Sequence, residues 1–477
     1  MKIQELQNKK IAILGYGMEW KSTEKFLKKL WIKNYTILDK NTLPPERGEL
    51  EGGHIFWENY LNNLKEFDII FKSPWISPYN NPELLEVKEK LTSQAEILAD
   101  NFEWKIIWIT GTKGKSTTST LLYEILKELW YKTKLVWNIW NPVLDEIDII
   151  NWDEYDFIVY ELSSYMLEWL DLNIEIGLLN NIYDCHLDWH NWRKNYENAK
   201  FNVFKNAKYK LAWKEIQYIL ELHTNTLLKE RGQKVFDDII YFWNDIEKFW
   251  IKKEDIFLEW EHNYKNISGI LNILKIILNN ENSPIIPFLK GDENIKIIKD
   301  VLAKFRGLPH RQENIWTYKW ITFINDAIAS TPESAIAAIK TFGEKIGTIF
   351  IWNEDSWFDL TELNKTILKY KIKNIVLFPT TWEKLFGEFS KNMEFDKATF
   401  YNLSQPSFNN KGSSIKLYKT LSMEKAVKFA YENTPKWKIV LLSTWAPSFN
   451  ADGPWVMPWK WFIEKWEMFK NAVKKYA

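Results

Sequence analysis

The sequence predicts an α/β protein in three domains, and three observations predict it. Short apolar runs alternate with helix-length amphipathic stretches along all 477 residues, the pattern of parallel sheets wrapped by helices. A glycine-containing turn, Gly15-Tyr16-Gly17, follows the first run, KKIAIL. A second, richer turn follows the run Ile106–Thr110 and opens a helix predicted over Ser116–Leu126. Together they give a Rossmann-like first domain over 1–100, a central P-loop ATPase-like parallel-sheet domain over 101–304, and a Rossmann-like α/β domain over 305–477.

The central turn reads Gly111-Thr112-Lys113-Gly114-Lys115-Ser116-Thr117. Its glycines let the backbone curl so that successive N–H groups face inward at phosphate oxygens, helped by the positive end of the following helix. Lys115 is placed to reach the outer phosphates of a nucleotide, and the Ser116 hydroxyl to ligate Mg²⁺. The spacing is shorter than the standard G-x-x-x-x-G-K-[ST], because Ile109 stands where the first glycine would be. The run YDFIVYE then delivers Glu161 to the same sheet edge, where a hard divalent cation wants carboxylate oxygen. His186, after IGLLNNIYD, is a less usual Mg²⁺ ligand, and Lys200 has no distinction at the level of sequence. Asn263 and Asn266 open a long apolar helix, where either reading an adenine edge or capping the helix is open.

Bulk properties narrow the function class. Sixty-three Lys and Arg balance 63 Asp and Glu, so no basic field points to nucleic acid. No apolar run approaches the ~18 residues of a membrane span. The single cysteine, Cys185, allows no internal disulfide, and the expectation is a cytoplasmic protein.

Tryptophan is anomalous. There are 28 Trp and only 17 Gly, whereas glycine alone is usually about 7% of a chain. Many of these tryptophans fall in turn contexts such as SPWISP and NIWNP. The expectation is that many stand where the protein carries glycine, as when a UGA codon is read as glycine in the source cell. With glycine at Trp20, the first turn becomes G-x-G-x-x-G with an acid, Asp39, about 20 residues on.

Taken in order, the segments G-Y-G-M-E-W-K-S, S-P-W-I, G-T-K-G-K-S-T, W-N-I-W-N-P, E-L-S-S-Y-M-L-E, H-L-D, Y-E-N-A-K, W-E-H-N-Y-K-N, G-L-P-H-R, I-N-D-A-I-A-S-T, W-N-E-D-S-W-F-D and L-L-S-T-W-A-P-S-F resemble the Mur ligase family over the full length. These are the ATP-dependent amide-forming enzymes of peptidoglycan synthesis, and the resemblance is to the branch adding glutamate to UDP-N-acetylmuramoyl-L-alanine. That family writes glycine at the positions of Trp20, Trp75, Trp137, Trp140, Trp260, Trp352, Trp357 and Trp466.

The resemblance implies ATP and two Mg²⁺ as cofactors, UDP-N-acetylmuramoyl-L-alanine and glutamate as substrates, an acyl-phosphate intermediate, and a monomer. It assigns Gly111 to Thr117 to ATP, with Lys115, His186 and Lys200 catalytic. It assigns Ser116, Glu161, His186 and carbamylated Lys200 to metal. Asp39, Ser73, Asn138 and Ser163 fall to the UDP-linked substrate and Ser443 to glutamate. Asn263, Asn266, Arg311 and Asp326 fall to ATP. Where the family has lysine against the glutamate side chain, this chain has Ile328, which leaves an L-glutamate-adding relative open beside the D-glutamate reading. A folylpolyglutamate-type amide ligase, or a P-loop switch without ligation, would share the phosphate loop; amino-acid-dependent ADP release separates a ligase from the switch.

Overall fold

The computed structural model describes residues 2–15, 18–39, 53–56, 60–101, 105–137, 142–147, 155–170, 173–183, 185–221, 236, 238–258, 261–279, 293–308, 312–327, 332–352, 360–378, 416–420, 422–444 and 458–476. The chain divides into two compact units, Met1–Phe305 and Arg306–Ala477.

The first unit holds two parallel sheets. Strands β1 (Ile11–Leu14), β2 (Tyr35–Asp39), β3 (Gly53–Phe56), β4 (Ile69–Lys72) and β5 (Leu91–Thr92) lie in the order β3-β2-β1-β4-β5. Every residue of β1 is buried, as a continuous apolar run in a sheet covered on both faces should be. The helix Met18–Lys29 covers one face through Thr23, Phe26 and Leu27, spaced three and four apart. Successive strands leave β1 toward opposite sides, so the chain segments after β1 and β4 diverge and leave a crevice at their carboxyl ends.

The second sheet orders β6 (Lys105–Thr110), β7 (Thr133–Val136), β8 (Phe157–Glu161), β9 (Asn173–Leu179), β10 (Asn206–Trp213) and β11 (Ile239–Phe242) as β11-β10-β9-β6-β8-β7. β6 sits between β8 and β9, and its carboxyl end feeds the glycine-containing turn and the helix Lys115–Glu128. One continuous apolar cluster runs from Leu6, Ile11 and Phe26 in the first sheet to Ile107, Leu122, Leu178, Ile270 and Ile298 around the second.

A buried polar joint ties the two sheets together. Lys72, at the end of β4, donates to the carbonyls of Ser73 (3.1 Å) and Ile76 (3.2 Å). The Ser77 hydroxyl donates to the Trp189 carbonyl at 2.5 Å, and the Tyr79 hydroxyl to Glu168 at 3.0 Å. Burial pushes the Glu19 carboxyl up to about 7 against the pull of Lys72. The same cause pushes Lys72 down to about 8, opposed by Glu168 and Glu19.

The second unit carries β12 (Glu313–Tyr318), β13 (Ile321–Asp326), β14 (Ile346–Trp352), β15 (Asn374–Leu377), β16 (Lys416–Lys419) and β17 (Ile439–Thr444), ordered β12-β13-β17-β14-β15-β16. The alternation of strands and helices predicts a parallel sheet here. Five strands are parallel, but β12 pairs antiparallel with β13 through a two-residue turn at Lys319 and Trp320. The polar alternation of ENIWTY, with one face exposed, is what an edge hairpin needs and a buried parallel strand does not.

Gly177 in β9 controls a close approach. A Cβ there would run into the backbone carbonyl of Val203, in the turn that follows the helix Arg193–Phe201. Gly177→Ala is therefore expected to lower stability by ~1–3 kcal/mol, the usual cost of overpacking, measured by urea unfolding. A second expectation concerns pH. Glu19 binds its proton more tightly in the folded chain, so its contribution is full below about 4.5 and fades as pH rises through about 7. Lys72 is the opposite case: its contribution is full above 10.5 and fades as pH falls through about 8. Glu19→Gln should flatten the stability curve between pH 4.5 and 7; an unchanged slope in urea titrations would show that Glu19 is not its source.

Candidate active site

The turn Gly111–Thr117 opens a helix as the sequence predicts, but the Thr112 and Lys113 N–H groups are spent on Asn181 instead of facing inward. Gly114 has φ +79°, the left-handed region, and immediately precedes the helix Lys115–Glu128. A Cβ on Gly114 would collide with the Asn266 side-chain amide. Asn266 thus lies directly against the loop. It and Asn263 are buried inside the helix Glu261–Asn279, past its cap position, so capping is not their role.

The loop's other wall comes from the end of β9. The strand predicted over IGLLNNIYD stops at Leu179, because Asn180 and Asn181 turn to hold the loop. The Thr112 N–H donates to the Asn181 carbonyl (3.0 Å) and the Lys113 N–H to the Asn181 side-chain oxygen (2.8 Å). The Asn181 amide returns a bond to the Lys113 carbonyl (3.0 Å), and the Asn180 amide donates to Thr118 Oγ1 (2.9 Å). The adjacent pair Asn180-Asn181 after an apolar run was the available signal. The Thr112 hydroxyl is 2.7 Å from the Tyr196 hydroxyl, and Lys115 Nζ donates to the Thr112 carbonyl at 3.3 Å. Thr117 lies in the first turn of the helix.

Three polar groups near this loop stand out electrostatically. Ser116 Oγ and both carboxylate oxygens of Glu161 are buried with no hydrogen-bond partner among the described residues. Glu161 lies on β8 opposite Ile109 of β6, two residues before Gly111. A bare buried carboxylate is costly unless a cation answers it. Lys200, unremarkable in sequence, is almost wholly buried on Arg193–Phe201, and its Nζ donates to the Gly111 carbonyl at 2.9 Å. Burial, reinforced by Lys115, holds its amine well below the usual lysine range, against the opposing pull of Cys185 and Glu161. His186 is exposed, with a left-handed backbone and its ring 4.9 Å from that of Tyr165. Among the described residues no cluster of three or more His, Cys, Asp or Glu has the geometry of a metal cage. The donor set is instead an alcohol and a carboxylate, which suits a Mg²⁺ that keeps waters and takes phosphate oxygens.

Other predicted residues fall at strand ends. Asp39 closes β2 and is buried. Ser73 follows β4, and its Cβ is what a side chain on Gly15 would strike, so the two turns of the first crevice touch. Ser163 caps the short helix Ser164–Leu167 by accepting from the Met166 N–H at 3.2 Å. In the second unit Asp326 ends β13 in register with Ser443 on β17; the Ser443 hydroxyl donates to Asp326 at 3.5 Å and the Gln312 N–H at 3.2 Å. Asn138, Arg311 and Ile328 lie outside the described residues.

Comparison with known proteins agrees with this geometry. The profile of the Mur ligase middle domain matches residues 109–269, the phosphate loop through the Asn266 helix. The UDP-N-acetylmuramoylalanine–D-glutamate ligase of Acetivibrio thermocellus is 30% identical, covering 98% of this chain and 97% of its own length. The ligase of the same name from Clostridium tetani is 27% identical over equal shares. Among solved structures, the MurF ligase of Thermotoga maritima in complex with ADP covers all of this chain with a TM-score of 0.51 at 13% identity. MurF of Acinetobacter baumannii covers 96% of this chain and 90% of its own length, with a TM-score of 0.52 at 13% identity. By the length and identity of the sequence matches, the chain belongs to the Mur ligase family.

Proposed function

We propose that this chain is an ATP-dependent ligase joining D-glutamate to UDP-N-acetylmuramoyl-L-alanine, with release of ADP and phosphate, in peptidoglycan precursor synthesis. The observation that carries the reading is the near-complete overlap, at 30% identity, with a ligase of that name. The relatives' names specify the D enantiomer, which favours it over the L-glutamate alternative that Ile328 leaves open. The enzyme acts in the cytoplasm, where ATP is supplied, and as a monomer.

The chemistry sets the demands on the site. The substrate carboxylate attacks the γ-phosphorus of ATP, ADP leaves, and the acyl phosphate is then attacked at carbon by the glutamate amine. A tetrahedral centre forms and collapses to the amide, expelling phosphate. The first step brings two anions together, so opposing positive charge is the main requirement. Mg²⁺, when bound at two sites, neutralises phosphate oxygens and polarises the transferred group.

In this reading the phosphates sit against the loop's N–H groups from Gly114 to Thr117, those of Thr112 and Lys113 being taken by Asn181, and Lys115 turns from the Thr112 carbonyl to the γ-phosphate. The bare oxygens of Ser116 and Glu161 suit one cation. His186 and Lys200 serve the other, Lys200 as its carbamate. Burial that pushes the amine below its ordinary range favours its neutral form, and a neutral amine takes up CO₂ with loss of a proton, turning a cation into an anionic oxygen ligand. Asn263 and Asn266 lie on the adenine side. Domain 1–100 holds the UDP moiety through Asp39 and Ser73, with Asn138 and Ser163 of domain 101–304 reaching the muramoyl end. The family resemblance assigns Arg311 and Asp326 to ATP and Ser443 to the glutamate carboxylate.

The test is ADP release with UDP-N-acetylmuramoyl-L-alanine and either enantiomer of glutamate. D-Glutamate is expected to support turnover and L-glutamate not. Lys115→Ala should keep the fold by circular dichroism while turnover falls about 10²–10³-fold, the loss typical of one preorganised donor. Near-normal turnover of that variant would remove Lys115 from the mechanism.

A further inference from the structure

We propose that His190 is a positioning residue of this site. It is wholly buried, and its Nε2 lies 3.0 Å from Ser164 Oγ, three residues after Glu161. Its ring stacks on Tyr165 at 5.8 Å and 20°, and Tyr165 in turn lies 4.9 Å from His186. Its ring also lies 5.3 Å from that of Tyr196, the two planes at 72°. Tyr196 reaches Thr112 of the phosphate loop through its hydroxyl and carries Lys200 Nζ over its ring at 4.9 Å. Nδ1 lies 3.6 Å from Glu168 Oε2, beyond hydrogen-bond reach, while the other Glu168 oxygen accepts from the Tyr79 hydroxyl of the first domain.

It touches Ser164, Tyr165 and Tyr196, each of which leads to a residue of the site, and it also packs on Trp189 at 4.4 Å and Tyr79 at 6.1 Å, at the joint between the two sheets. It therefore sets the spacing between the Glu161 segment, His186 and the phosphate loop, as outer partners of metal ligands do. The inference rests on the reading in which Glu161 and His186 serve Mg²⁺.

The test compares His190→Gln and the milder Ser164→Ala with the unaltered enzyme. Melting temperature, kcat, KM for ATP and the Mg²⁺ concentration for half-maximal rate are measured. Expected are a retained melt, little change in KM for ATP, and a loss of about 10–100-fold in kcat or apparent Mg²⁺ affinity. A normal kcat and Mg²⁺ response in a folded His190→Gln overturns the proposal; if that variant does not fold, a normal response in Ser164→Ala does so. Glu161→Gln separates the two readings: a normal Mg²⁺ response there refutes the metal assignment itself, whatever His190 does.

A different observation carries a second inference. Fourteen described non-glycine residues have positive φ, and six of them are tryptophan: Trp31, Trp130, Trp169, Trp250, Trp320 and Trp437. None is among the eight positions singled out by the family resemblance. Trp31 and Trp130 end their helices with the paired bonds of a Schellman turn. The Trp31 and Ile32 N–H groups donate to Lys28 and Leu27, and the Trp130 and Tyr131 N–H groups to Lys127 and Leu126. Both occupy the slot that glycine fills for want of a Cβ. Lys319 and Trp320, with φ +47° and +71°, make the two-residue hairpin turn whose second position favours glycine. Trp31 and Trp130 are 85% and 91% exposed, so no packing rewards the indole. We infer that these six positions are glycine in the protein as its own cell makes it.

Peptide mass spectrometry of protein purified from the source cell decides this. Glycine is expected at positions 31, 130 and 320, encoded by UGA. Tryptophan at any of the three, or a UGG codon there, overturns the inference for the set.

Discussion

Everything in the first unit depends on holding one short loop still. A tight turn that opens a helix keeps its shape only if its flanks are held, and in this chain the loop is clamped from both. Asn181 closes a ring of three hydrogen bonds with Thr112 and Lys113. Asn266 packs so tightly on Gly114 that no side chain fits between them. The central sheet supplies both clamps with a rigid base: β9 carries the asparagines, and the apolar cluster fixes the Asn266 helix. Preorganisation of this kind is what makes a backbone cradle effective, since little ordering remains to be done on binding.

The same unit tolerates a concentration of buried polar groups that a purely structural core would avoid. Glu161 and Ser116 leave oxygens bare, and burial pushes the Lys200 amine well below its ordinary range. These groups lower stability on their own account. Strands such as β6 and β8, almost entirely buried, provide the apolar burial that offsets it. A related balance operates at the joint between the first two sheets. There Lys72, Glu19 and Glu168 are partly compensated by one another, and hydrogen bonds from Ser77 and Tyr79 fix the register of the two sheets.

Much of this was legible in the sequence, for identifiable reasons. Continuous apolar runs, two of them ending at Gly15 and Gly111, revealed β1, β6 and β8, because strands buried on both faces cannot carry polar alternation. Gly114 and Lys115 announced the loop, since few other uses exist for that pattern. Of the clamps, Asn266 was singled out in the sequence, whereas Asn180 and Asn181 look like a generic strand end until the strand is seen beside β6. Lys200 carried no mark because burial of a lysine is a tertiary fact, and His190 was hidden behind the more conspicuous His186. The antiparallel β12 was missed because its turn, Lys319-Trp320, lacks the glycine that ordinarily advertises a hairpin.

One strand ties these pieces together. At Gly177, β9 fixes how deeply the Lys200 helix sinks toward the sheet, and three residues later Asn180 begins the clamp on the phosphate loop. The gap between the Lys200 amine and the Gly111–Thr117 turn is thus measured by a single stretch of backbone rather than by two independent parts. A chimera that imported the loop from one relative and the lysine helix from another would inherit mismatched rulers unless β9 travelled with them. The exchangeable module of this fold is therefore the strand with both its attachments.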